Sequence, residues 1–322
     1  MKSVKLIATN HAVPARVVTN DDLTAWLDTS DEWITTRTGI KQRHVSTGEN
    51  TAALALAASR PALEAAGWDP ESLDLIIVAT MTPDGYMPST AAQVQGALGA
   101  SRAVAFDLSA ACSGFVYALT VARQMLAAPG CRRTLVIGAE VMSKVLDWQD
   151  RSTAVLFGDG AGAALLEATA EDHLWVSRLA TFGDQGHDLT AGKTTVTAAL
   201  PHPVSDLAPL TMDGRSTYRF ATHQVPASIQ DTLAAAGISP DEVDHYLLHQ
   251  ANARIVRQVA KRLDQPLEKF PLNIARYGNT AAASEPILLD EQIKAGAIKR
   301  GDLLVLSGFG GGLTTASIVM QY

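Results

Sequence analysis

The chain has 322 residues, 47% of them hydrophobic and 6% aromatic, and carries a formal net charge of −7. That is enough apolar material for one large domain or two fused ones, and the negative balance argues against nucleic acid or an anionic membrane surface as a partner. Two cysteines, Cys112 and Cys131, stand in no CxxC pair and near no spaced histidines, so neither zinc nor a disulfide framework is expected.

Taken in chain order, the start MKSVKLIATNHAVP holds a short apolar run broken by Lys5, unlike a signal peptide. No run approaches the roughly 20 apolar residues of a membrane span; a cytoplasmic location is expected. An Ala-rich helical stretch ends in LEAAGWDPESLD (63–74), where Gly67 closes the helix, Pro70 opens a turn, and the apolar strand LIIVAT (75–80) follows. The segment 103–126, AVAFDLSAACSGFVYALTVARQML, reads as strand, tight turn and helix, with Cys112 in the turn. Its neighbours Ala110, Ala111, Ser113 and Gly114 are small, so a substrate can approach closely. The following helix presents free N–H groups and its positive end to the sulfur, an arrangement expected to favour thiolate. In isolation, a small core residue is the commoner meaning of such a cysteine.

The second half repeats this order. LAAAGISPDEVD (233–244) echoes 63–74 at an offset of 170 residues and is followed by HYLLHQ (245–250). The strand TLVIGAE (134–140) is echoed by LLVLSGF (303–309), and FGDGAGAALL (157–166) by FGGGLTTASIV (309–319). Strands alternating with helices predict parallel sheets covered on both faces. We therefore expect two fused α/β halves, 1–172 and 173–322.

Reactive side chains break the symmetry. His249 stands where the first half has Ala79, and the Cys112 region is echoed by Ala282–Ser284. Asn279 lies in the small-residue turn RYGNTAAASEP (276–286), where in isolation an Asn that merely accommodates left-handed backbone is the commoner meaning. Together, a nucleophilic Cys and two hydrogen-bond donors suit thioester chemistry: Cys112 accepts an acyl group, while His249 and Asn279 stabilise an enolate. The run Gly308–Gly312 offers backbone N–H groups for an oxyanion, although a hairpin turn explains it as well. After His249, Arg254, Arg257, Lys261 and Arg262 share one helix face while Ile255, Val259 and Leu263 take another. A solvated face is the ordinary meaning of such a stripe; a dock for an acidic partner is the other.

The segments TSDEWITTRTGI (29–40), AACSGF (110–115), FGDGAGA (157–163), HQANARI (249–255), GNTAAAS (278–284) and GFGGGLT (308–314) resemble β-ketoacyl-acyl carrier protein synthase III, of the thiolase-fold condensing enzymes. The resemblance runs nearly end to end and implies a duplicated five-layer α/β fold. It implies decarboxylative Claisen condensation of a short acyl-CoA starter with malonyl-acyl carrier protein, initiating fatty acid synthesis without a cofactor. By position, Cys112, His249 and Asn279 match the family's triad. Thiolases carry a second cysteine near the glycine-rich run, and elongating condensing enzymes a second histidine where Asn279 stands. The backbones of Cys112 and Gly311 match the oxyanion hole, and Phe309 an aromatic gate.

Trp33, Arg37, Arg151 and Asn252 match coenzyme A contacts, with Trp33 and Arg151 stacking on adenine. Met87 matches a residue that crosses the family's dimer interface to close the acyl pocket, which implies a homodimer. Arg219 and Arg254 match carrier-docking positions beside Arg257, Lys261 and Arg262. Two departures are Thr315, where the family commonly has an aromatic, and Glu285, where it commonly has an apolar residue; Glu285 is expected to be exposed or paired. Relatives that pass an acyl group to oxygen, nitrogen or another carbon remain a second reading, and a non-catalytic partner subunit a third.

Overall fold

The computed structural model describes residues 3–171, 173–195 and 206–322. Two mixed sheets organise it. The first holds, in spatial order, Ser3–Ala12, Gly160–Thr169, Arg133–Glu140, Leu75–Ala79 and Val104–Leu108. The second holds Trp175–Thr181, Thr314–Gln321, Leu303–Gly310 and His245–Leu248, which repeats the first four positions. In each sheet, in the order given, the first two strand pairs are antiparallel, whereas Leu75–Ala79 and His245–Leu248 run parallel to their neighbours.

Helices fill the space between and around the sheets. Gly114–Leu126 and Ser284–Lys294 touch both sheets and form the middle layer. Thr51–Ala66 covers the outer face of the first sheet, and Gly214–Ala236 with Ala253–Arg262 that of the second. Burial on both faces explains the unbroken apolar strands. Leu75, Ile77 and Ala79 enter the central core while Ile76 and Val78 enter the outer one. The matched helix ends are confirmed: Gly67 and Gly237 adopt φ of 64° and 70°, and Pro70 and Pro240 open short 3-10 turns.

Two echoes need correction. Leu75 pairs with Thr134 and His245 with Leu304, so the structural equivalent of Thr134 is Leu304, one residue beyond the sequence match. Val136 and Leu306 accordingly both face the central core. Strands apolar on both faces lack the alternation that would set register. Phe157 and Phe309 are also not equivalent. Phe157 pairs with Asn279 in an isolated bridge, and Phe309 lies inside a strand. The first half spans its hairpin through residues 141–159; the second turns within 311–313.

The two turns before the middle-layer helices are twins. Ala111–Ser113 and Ala281–Ala283 are 3-10 turns at the 170-residue offset, and Ala111 and Ala281 adopt φ of 45° and 46°. Such backbone costs an L-residue on the order of 1 kcal/mol or more, so surrounding packing must hold it. Glycines on the opposite sheet permit that packing. A Cβ on Gly138 would collide with the Ala282 carbonyl, and one on Gly310 would stand 2.8 Å from the Cys112 nitrogen.

Candidate active site

Cys112 stands on the strained turn at the head of helix Gly114–Leu126, only 6% exposed, between two cavities. A cavity of about 210 Å³ brings together Cys112, His249, Asn279, Asn252 and Phe309. A larger one of about 530 Å³ runs from Cys112 along Met81, Tyr117, Met142, Leu189 and Gly311. The thiol thus borders two cavities, the second the more spacious.

Thiolate is not the resting state, contrary to the expectation from the helix end. Burial pushes the Cys112 thiol well above its ordinary value, and the charges of Glu140 and Glu285 push the same way. In a dry site, desolvation of the anion outweighs the helix N–H groups. Glu140 ends the apolar strand Arg133–Glu140. It is fully buried and accepts hydrogen bonds from the Thr80 and Thr82 hydroxyls (3.1 and 2.5 Å) and the Met81 and Thr82 N–H groups (3.1 Å each). Burial raises it to about 7. The signal for it was available: a carboxylate closing an otherwise apolar strand.

His249 follows the strand His245–Leu248. Its N–H donates to the Ser307 carbonyl at 2.9 Å, and Phe309 meets its ring edge-on at 5.1 Å. Burial lowers its pKa to about 3. The ring is therefore neutral at physiological pH, with one nitrogen able to donate a hydrogen bond.

Asn279 is fixed by backbone. Its N–H donates to Leu156 and its carbonyl accepts from Gly158, at 2.9 and 3.0 Å. Its Oδ1 accepts the Ala281 N–H at 2.9 Å, which leaves the Nδ2 protons as the outward-facing donors. The left-handed backbone in this turn falls on Gly278 and Ala281, so Asn279 is not there to supply it.

The coenzyme A candidates form one cluster. The guanidinium carbons of Arg37 and Arg151 lie 4.8 and 5.1 Å from the Trp33 ring centre. Asn252 donates to the Arg37 carbonyl at 3.1 Å, accepts the Arg254 N–H at 2.8 Å, and also lines the smaller cavity. It thereby joins the Trp33 surface to Cys112. The Trp33 N–H is capped by Ser30, and its ring packs partly against the core. Gly311 lies within the hairpin turn and borders the larger cavity beside Cys112.

Met87 is not brought to the site of its own chain: it is 86% exposed, beside Tyr86. Arg254, Arg257, Lys261 and Arg262 are exposed while Ile255, Val256 and Val259 are buried. Exposed Arg219 sits on the adjacent helix, and Arg262 donates to His223 at 3.1 Å. Thr315 is buried opposite Phe309 in the strand pair. Glu285 corrects its expectation: it is wholly buried, with no hydrogen-bond partner among the described residues for either oxygen. Among those residues no helix is long and apolar enough to cross a membrane, and no cluster of His, Cys, Asp and Glu could hold a metal.

Comparison with known proteins agrees along the whole chain. The family model "3-Oxoacyl-[acyl-carrier-protein (ACP)] synthase III" matches residues 106–183, and its C-terminal counterpart residues 233–322. The Beta-ketoacyl-[acyl-carrier-protein] synthase III of Lactobacillus delbrueckii subsp. bulgaricus is 56% identical over 322 residues, all of both chains. The chain belongs to the β-ketoacyl-acyl carrier protein synthase III family. The synthase III of Limosilactobacillus reuteri is 52% identical over the full length of both chains. The crystal structure of the Aquifex aeolicus synthase III superposes with a TM-score of 0.93 at 43% identity, covering 99% of this chain and 100% of that one. The two-sheet, five-layer arrangement is thus the thiolase-type fold of synthase III enzymes.

Proposed function

We propose that this chain primes fatty acid synthesis by condensing a short acyl-CoA starter with malonyl-acyl carrier protein. The observation that carries the reading is one cavity lined by Cys112, His249 and Asn279, joined by Asn252 to the Trp33–Arg37–Arg151 surface. Adenine stacks at Trp33 and Arg151, and Arg37 and Asn252 help hold the coenzyme. The thioester reaches Cys112, whose sulfur attacks the acyl carbon while the Cys112 and Gly311 N–H groups hold the oxyanion. Coenzyme A leaves with the thiol proton, and the acyl group remains on sulfur with its chain in the larger cavity.

Malonyl-carrier protein then enters the same cavity. Loss of CO₂ leaves an enolate whose oxygen takes hydrogen bonds from His249 and Asn279. The enolate carbon attacks the acyl-Cys112 carbonyl, and collapse of the tetrahedral adduct releases the thiolate and the β-ketoacyl product. Phe309 holds the His249 ring and gates the acceptor side. No step requires a metal or cofactor; the coenzyme A thioester is a substrate.

The exposed stripe Arg254, Arg257, Lys261 and Arg262, with Arg219 beside it, is the proposed dock for the acidic carrier. We propose that the halves 1–172 and 173–322 divide the labour, the first carrying the nucleophile and the second the two donors. Residue 172 at their boundary lies outside the described residues. A cytoplasmic homodimer completes the reading. Val104–Leu108 is an edge strand with Val104 59% exposed, and Tyr86 and Met87 project 82% and 86% exposed. A partner there would receive Met87 at its acyl pocket.

Intact-protein mass spectrometry tests the central claim. Acetyl-CoA should add one acetyl group to the native chain and none to Cys112→Ala. Full acylation of that variant would remove Cys112 from the mechanism.

A further inference from the structure

Glu285 takes no part in the condensation described above, yet its placement is unusual. It occupies the first turn of helix Ser284–Lys294, at the position equivalent to the buried Phe115 of the first half. A Cβ built on Gly308 would stand 2.6 Å from Glu285 Oε1, 2.8 Å from the Ser113 Cα and 3.1 Å from the Cys112 carbonyl oxygen. The carboxyl therefore lies in the space that Gly308 leaves directly beneath the nucleophile's turn. It is wholly buried, and both oxygens lack a partner among the described residues.

A buried, unpaired carboxylate is costly, so such a group stays protonated until something compels it to ionise. Burial accordingly holds Glu285 well above the usual carboxylate range. Cys112 is the other acid in this enclosure, and a negative charge on one opposes a charge on its neighbour. Among the described residues, Glu140, held by four donors, also acts on the thiol, and the neutral His249 shares the smaller cavity with it. Neither supplies a positive charge to relieve two anions.

We infer that Glu285 is a positioning residue for Cys112, its buried carboxyl set so close beneath the nucleophile's turn that carboxylate and thiolate are not both ionised at once. With Glu285 protonated, the thiolate formed during acylation meets a neutral neighbour. Once Glu285 ionises at higher pH, the same thiolate meets a second anion and its formation is suppressed. Here an acid in an apolar position tunes the nucleophile without touching substrate.

This inference rests on the reading of Cys112 as the nucleophile, and its test reads the thiol itself. The rate of Cys112 alkylation by iodoacetamide would be followed against pH by mass spectrometry in the native chain, Glu285→Gln, Glu285→Val and Glu285→Asp. The Gln and Val variants should move the midpoint to lower pH together and alkylate several-fold faster below it; Asp should retain the native midpoint. Gln and Val profiles that superpose on the native one, in variants with native circular dichroism, overturn the proposal. A shift in Val alone overturns it too, because that outcome reports packing rather than charge. A failure of the nucleophile assignment would appear elsewhere, as acyl transfer that survives Cys112→Ala.

Discussion

His249 offers a thermodynamic test of the site's dryness. Burial lowers its pKa from 6.5 to about 3. The unfolded chain then binds a proton on this residue between those values while the folded chain does not. Folded stability supplied by the neutral ring is complete above pH 6.5 and is lost progressively as pH falls toward 3. At pH 7 the loss is about 0.2 kcal/mol, and at pH 5 about 2 kcal/mol, taking 1.36 kcal/mol per pKa unit. Replacing His249 with Ala removes this term. Urea unfolding of both chains at pH 7 and pH 5 should show their stability difference moving by about 2 kcal/mol in favour of the variant at the lower pH. Other titrating groups are common to both chains and cancel. An unchanged difference would refute the claim that the ring is desolvated, and with it the picture of a neutral donor to an enolate oxygen.

Removing either donor, in His249→Ala or Asn279→Ala, should preserve Cys112 acylation but slow malonyl-carrier decarboxylation by about 100-fold or more, read as released CO₂. Trp33→Ala should raise KM for acyl-CoA by about tenfold, with kcat nearly unchanged, because stacking and cation–π contact are lost equally in ground and transition states. Charge reversal in Arg257→Glu with Lys261→Glu should raise KM for malonyl-acyl carrier protein, an effect that shrinks with added salt, while self-acylation from acyl-CoA stays intact. Glu140 should contribute the opposite slope from His249. Its pKa is raised from 4.5 to about 7, so stability falls as pH rises through that window. Glu140→Gln should gain about 3 kcal/mol on the native chain between pH 4.5 and pH 7 in the same unfolding assay.

Much of this was written into local pattern. Gly67 and Gly237 close their helices because glycine accepts left-handed backbone, and the unbroken apolar runs at 75–79 and 246–248 demanded cover on both faces. The 170-residue echo made the duplication legible, and with it the positions where Cys112 and His249 depart from their counterparts. Tertiary packing decided what no short window carries. It made Leu304 rather than Leu303 the counterpart of Thr134, since strands buried on both sides have no alternation to fix the register. It enclosed Cys112 so that desolvation overrides the helix end, and it placed Glu140 and Glu285 against the thiol from distant segments. Charge coupling depends on distance and on the water removed between groups. The sequence could name the acids; only the folded chain could show that they crowd one another.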